Sequence, residues 1–159
     1  MKTLSIALGM AAITLSATTA SAHVALTQKS ATAGTYHAAF FRIGHGCQGQ
    51  ATTALTITIP SQVSVRPQPK AGWEITTAHD ENGVRAVTWT GHLPDDQFDD
   101  FGLLMKLPSQ AQDLPFSAIQ TCGASSSRWD GHAPAYPQPV LRVLDTAEPH
   151  PATIPHGEH

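Results

Sequence analysis

The stretch "TALTITIP", residues 53–60, decides the fold. Leu55, Ile57 and Ile59 fall on one face and Thr56 and Thr58 on the other, the period of two expected of a half-buried β-strand. Working outward, seven further runs are strand-like: "YHAAFFRI" at 36–43, "VSVRP" at 63–67, "WEITT" at 73–77, "VRAVTWT" at 84–90, "FGLLMKLP" at 101–108, "FSAIQTC" at 116–122 and "PVLRVL" at 139–144. The turn signals between them, such as "TAGT", "GHGCQGQ", "PKAGW", "ENG" and "GHLPDD", lie too close together for a helix of normal length. Seven to nine short strands punctuated in this way predict a single all-β domain, an antiparallel β-sandwich.

Two segments fall outside that domain. Residues 1–22, "MKTLSIALGMAAITLSATTASA", have a positive start at Lys2, an apolar run and small residues at Ala20 and Ala22, the pattern of a signal peptide cleaved after Ala22. The apolar run is shorter than the roughly 18 residues of a membrane span, so the mature protein is expected to be exported without a membrane-spanning segment, to the periplasm. The sandwich is then expected over residues 23–144. From 145 to 159, "DTAEPHPATIPHGEH" loses its apolar period and is read as a flexible Pro- and His-containing tail.

Charge and composition narrow the function. With 9 basic and 12 acidic side chains the chain is mildly acidic, which argues against a nucleic-acid partner. Only 13% of residues are charged, yet there are nine histidines, all beyond residue 22, which keeps metal chemistry in view. Export makes a disulfide the default for Cys47 and Cys122, and a bridge over that separation stabilises a fold by about 4 kcal/mol on the chain-entropy model. The rival is a blue-type copper site using a cysteine thiolate with Met105 and His45, but the clustered Cys and His spacing of such sites is missing.

Five stretches together carry a resemblance: "HVALTQKSATAGTYHAAFFRIGHGC", "PQPKAGW", "VTWTGHLPDDQFDDF", "IQTC" and "RWDGHAP". In order, from His23 to about Val143, the chain resembles the YcnI-like periplasmic copper-binding proteins in the version with an HGC motif. The resemblance implies a sandwich of cupredoxin-like or immunoglobulin-like appearance that holds Cu(II) at its processed N-terminus. The implied site is a mono-histidine brace, in which the amine and imidazole of the N-terminal histidine are joined by a carboxylate oxygen beside a tryptophan. His23 takes the brace position once the leader is removed, and Trp129 matches the late tryptophan of the family. Asp100 stands where the family has a glutamate before phenylalanine. An aspartate is one methylene shorter, so Asp99 and Asp130 remain alternative oxygen donors.

Closing a ring through the amine and Nδ1 of one residue lowers the entropy cost of assembling a site. Two nitrogens with carboxylate or water oxygen suit the tetragonal preference of Cu(II). No HxxxH or CxxC spacing points to zinc. The resemblance implies a copper buffer or delivery protein without catalytic activity, whose partners are the copper ion and other periplasmic or membrane copper-handling proteins. Two other readings stand beside it. A copper monooxygenase needs a second histidine ligand and a flat aromatic surface, for which the two tyrosines and the histidine spacing give no pattern. A metal-free exported interaction module is favoured if cleavage leaves residues ahead of His23.

The plainer readings concern several of the same residues. His37 and His45 are expected to make local hydrogen bonds. Asp95, Asp96, Asp99 and Asp100 fit a solvated acidic turn as well as a ligand cluster. Trp73 and Trp89 lie in strand patterns and are expected in the core. His150, His156 and His159 form a loose metal-collecting segment at most.

Overall fold

The computed structural model describes residues 23–145, so the expected leader and all but the first residue of the expected tail lie outside the described residues. Twelve strands follow one another: β1 (Val24–Leu26), β2 (Ser30–Thr32), β3 (Tyr36–Ile43), β4 (Thr52–Thr58), β5 (Val65–Pro67), β6 (Glu74–Asp80), β7 (Gly83–Leu93), β8 (Asp99–Lys106), β9 (Gln112–Pro115), β10 (Ser117–Cys122), β11 (Ser125–Trp129) and β12 (Val140–Leu144). All eight runs expected from the sequence overlap a strand. The four additional strands, β1, β2, β9 and β11, raise the count above seven to nine. They are three to five residues long, and most are rich in Ser, Gln or Asp, so sheet pairing rather than apolar alternation makes them strands.

The strands form a four-stranded sheet in the order β1-β3-β8-β5, a five-stranded sheet in the order β11-β10-β4-β7-β6, and a small sheet β2-β12-β9. Alternation along β4 buries Leu55 and Ile57 and pairs them with Trp89 and Val87 of β7. The two larger sheets pack face to face, and their contact is aromatic. Phe101 of β8 meets Trp89 edge-on with ring centroids 5.5 Å apart, and Trp73 at 4.9 Å. Trp89 is fully buried and Trp73 partly buried against the same core. Chain direction matters at the first edge: β1 pairs antiparallel with β3, and the chain then changes sheet so that β2 runs parallel to β12. Among the described residues no helix is long and apolar enough to cross a membrane.

Cys47 and Cys122 form a disulfide with Cα atoms 5.8 Å apart, joining the loop after β3 to the end of β10. This removes the thiolate that a blue-type copper site needs, and Met105 is buried in β8. Beside the bridge, Gln120 is fully buried on the inward face of β10. Its Nε2 donates to the His45 carbonyl at 3.0 Å and to Thr52 Oγ1 at 2.8 Å, so a polar side chain in the core has donor work to do.

His37 sits elsewhere than a ligand reading needs. β3 does run beside β1, but β1 pairs with residues 41–43, whereas His37 pairs with Met105 near the other end of β3. Its Nε2 is buried with no hydrogen-bond partner among the described residues, so the expected local hydrogen bond is not formed there. Burial lowers its pKa from the ordinary 6.5. The unfolded chain therefore binds this proton more readily than the folded one. The associated stability is present above about pH 6.5 and is lost as pH falls through the lowered folded value. His37→Leu is expected to flatten this part of the profile. Urea unfolding at pH 7.5 and 5.5 checks it, with the wild type losing more stability on acidification than the variant.

Candidate metal centre

His23 lies at the head of β1, the edge strand of the four-stranded sheet, and Trp129 ends β11, the edge strand of the five-stranded sheet. Face-to-face packing brings these two edges together. The His23 and Trp129 rings lie 5.2 Å apart between centroids, tilted by 38°. Tyr136 packs edge-on against Trp129 at 5.0 Å, so the indole sits between an exposed imidazole and a phenol. Trp129 is fully buried, and its Nε1 has no hydrogen-bond partner among the described residues. A groove of about 520 Å³ runs from His23 along Val24 and Leu26, with Lys29, Pro139 and Val140 on its other margins.

Each candidate carboxylate is held by a cation. Asp100 accepts a fork from Arg42, with Nε to Oδ1 at 2.8 Å and Nη2 to Oδ2 at 2.7 Å. Asp99 accepts from Lys70 at 2.5 Å. Asp130 lies 2.9 Å from His132 Nδ1 and 3.8 Å from Arg128 Nε. The expected acidic turn is thus divided: Asp99 and Asp100 open β8 as ion-paired strand residues, while Asp95 and Asp96 stay in the preceding turn.

Strand alternation distinguishes the candidates. Ala25, Arg42 and Asp100 are in register across β1, β3 and β8, whereas the His23 ring, ahead of β1, packs on the buried Trp129 of the facing sheet. Asp99 belongs to the opposite set with buried Phe101, Leu103 and Met105. Hydrogen bonds from Arg42 hold the Asp100 carboxyl below its ordinary pKa, against the opposing effect of partial burial. It is therefore an anion at neutral pH. The His132 backbone N–H, followed by its side chain, lowers Asp130 in the same way. Among the described residues the groove beside His23 is lined by Lys29 and Arg142 and by no carboxylate, so the structure brings His23 to Trp129 but Asp100 to Arg42.

The HGC turn supports this end of the fold. His45 Nδ1 lies 2.7 Å from the Gly46 carbonyl, the local hydrogen bond expected for it. The Gly46 N–H donates to the Asp95 carbonyl at 3.0 Å. A Cβ on Gly46 would stand 2.0 Å from the Gln50 carbonyl oxygen, which is why this position takes glycine. Arg42 and Tyr136 escaped the sequence reading. Arg42 resembles any outward strand residue, and Tyr136 lies in a Pro-rich loop with no periodicity; only the packing shows Arg42 against Asp100 and Tyr136 against Trp129.

Comparison with known proteins agrees with this architecture. A crystal structure of an uncharacterized protein from Nocardia farcinica, described as having an immunoglobulin-like fold, is 29% identical, with a TM-score of 0.62 over 76% of this chain and 97% of its own. The seventh ScaB type I cohesin from Pseudobacteroides cellulosolvens is 10% identical, with a TM-score of 0.50 over 86% and 97%, a likeness of fold alone. No curated protein matches the chain. Residues 23–149 match the family model described as "Domain of unknown function (DUF1775)".

Proposed function

The chain belongs to the DUF1775 family, and from that premise we propose that it is an exported copper-binding protein, holding Cu(II) in a mono-histidine brace at a processed N-terminus and serving copper buffering or delivery. The observation that carries the reading is the His23–Trp129 contact at 5.2 Å. The residue exposed by cleavage after Ala22 lies against the tryptophan that the YcnI-like pattern puts beside the metal.

In this proposal the amine and Nδ1 of His23 supply two nitrogens and Asp100 supplies the oxygen. Trp129 covers one side of the site, which favours storing the ion over exposing it to redox partners. Copper is cargo here, and no catalytic step is assigned. The disulfide agrees with an oxidising compartment such as the periplasm. The amine, with an ordinary pKa of about 7.7–8.0, exchanges a proton for the metal, so affinity is expected to weaken as pH falls below that range.

The test is Cu(II) titration followed by electron paramagnetic resonance, on the chain beginning at His23 and on the same chain with its N-terminal amine acetylated. The expected result is a one-to-one signal with nitrogen couplings. Acetylation should lower affinity on the order of a hundredfold, because it removes the amine from the amine–imidazole ring. Equal binding by the two proteins would sink the proposal.

A further inference from the structure

The two large sheets turn unlike faces to solvent. Outside the five-stranded sheet, Thr76, Thr88 and Thr56 lie side by side on β6, β7 and β4, the last two with hydroxyls 2.8 Å apart. Outside the four-stranded sheet the residues are mostly apolar or cationic. Along β3 they are Tyr36, Ala38, Phe40 and Arg42, and opposite them on β8 stand Lys106, Leu104, Gly102 and Asp100. Arg66 of β5 extends the Ala38–Leu104 row to the sheet edge. A Cβ on Gly102 would stand 2.9 Å from Cε1 of Phe40, so the missing side chain lets that ring lie against β8 and keeps the face flat.

Tyr36 is 71% exposed, Phe98 64% and Leu104 41%, and none of the three belongs to the core. A cation lies over each of the two rings: Lys106 Nζ is 5.0 Å from the Tyr36 centroid, and the Arg42 guanidinium is 5.0 Å from that of Phe98. Tyr36 and Arg42 are six residues apart on one strand, so the two pairs end a strip about 20 Å long. Charge on this strip runs against the chain average, which is acidic at 9 basic to 12 acidic side chains. Asp99 and Asp100, the acids of these four strands, are neutralised by Lys70 and Arg42. Arg66 and Lys106 have no carboxylate partner among the described residues, and the Lys106 ammonium donates to the Gly34 carbonyl. With Tyr36 and Leu104 they surround a shallow depression of about 230 Å³.

We propose that this face docks on an anionic lipid surface, with the Tyr36 end making the main contact. The Tyr36 ring and the Leu104 side chain enter the boundary between headgroups and acyl chains, while Lys106 and Arg66 stay at the level of the phosphates. Stacking of Lys106 on Tyr36 holds ring and charge together in that arrangement. An acidic protein would meet the same cations, but on this face it finds only the shallow depression and no deep pocket for an anchoring side chain. Neither His23 nor copper takes part.

The test is co-sedimentation of the chain beginning at His23 with vesicles, at pH 7.5 and without metal. Vesicles of equal parts phosphatidylglycerol and phosphatidylethanolamine are compared with pure phosphatidylcholine. Binding is expected to the anionic vesicles, to be weak on phosphatidylcholine and to fall as salt rises. Arg66→Gln should lower the partition coefficient about fivefold and Arg66→Gln/Lys106→Gln about twentyfold. Tyr36→Ser/Leu104→Ser, with both cations kept, should lower it on the order of tenfold. Arg128→Gln, in register with Ile119 and Thr56 on the threonine face, should change it by about twofold or less. All the altered side chains are exposed, so the variants are expected to fold, and thermal melts confirm it. No association with the anionic vesicles overturns the proposal and leaves an acidic protein as the occupant of this face. Equal losses in Arg66→Gln and Arg128→Gln overturn it too, because net charge alone then sets binding. So does full binding by Tyr36→Ser/Leu104→Ser, which reduces the contact to charge attraction without a docked face.

Discussion

Replacing both cysteines, as Cys47→Ala/Cys122→Ala, is expected to lower the stability of the domain by about 4 kcal/mol, the chain-entropy value for a bridge across this separation. The two residues are 75 apart in sequence, so the bridge removes a large loop's freedom from the unfolded chain. With typical domains stable by about 5–15 kcal/mol, such a loss takes much of what is available. Urea unfolding of the double variant beside the oxidised parent measures it. The loop after β3 keeps other ties, from Gln120 to the His45 carbonyl and from Gly46 to Asp95. The proposed copper binding is therefore expected to survive at temperatures where the variant remains folded. A loss below about 1 kcal/mol would mean that the unfolded chain is already restrained by other contacts.

Trp89→Ala is expected to cost about 3–5 kcal/mol, the range for deleting a large aromatic from a core. The ring is fully buried, lies between Leu55 of β4 and Ile75 of β6 in the sheet register, and meets Phe101 of the facing sheet at 5.5 Å. Its Nε1 donates to the Gln68 carbonyl at 3.4 Å, a long bond that adds little. Nearly all of the cost is therefore lost packing between the two sheets. Trp89→Phe should lose clearly less, because a ring remains against Phe101. Denaturant midpoints for the two variants decide the point, and equal losses would place the energy in the indole N–H instead.

The legible part of the fold was the part written in apolar alternation. Leu55, Ile57 and Ile59 on one face of "TALTITIP" announced β4, and the other seven runs overlapped strands for the same reason. The illegible part was polar or short: β11, "SSSRW", has no apolar period, and it is a strand because β10 pairs with it from Ala118 to Cys122. The site divided in the same way. The resemblance to a known motif named His23, Trp129 and Asp100 as candidates; the fold brings the first two together and ties Asp100 to Arg42, and neither Arg42 nor Tyr136 carried a signal of its own.

By itself the sequence determined an all-β domain, which buried face each long strand presents, and a leader pattern ending just before a histidine. Each of these depends on residues within a few positions of one another, where periodicity and turn chemistry act. Tertiary structure alone decided that the head of β1 meets the end of β11, that Cys47 lies 5.8 Å from Cys122 in Cα position, and that Arg42 holds both oxygens of Asp100. Those contacts join residues far apart in the chain. Their distances follow from strand order, register and the packing of two sheets, none of which local pattern encodes.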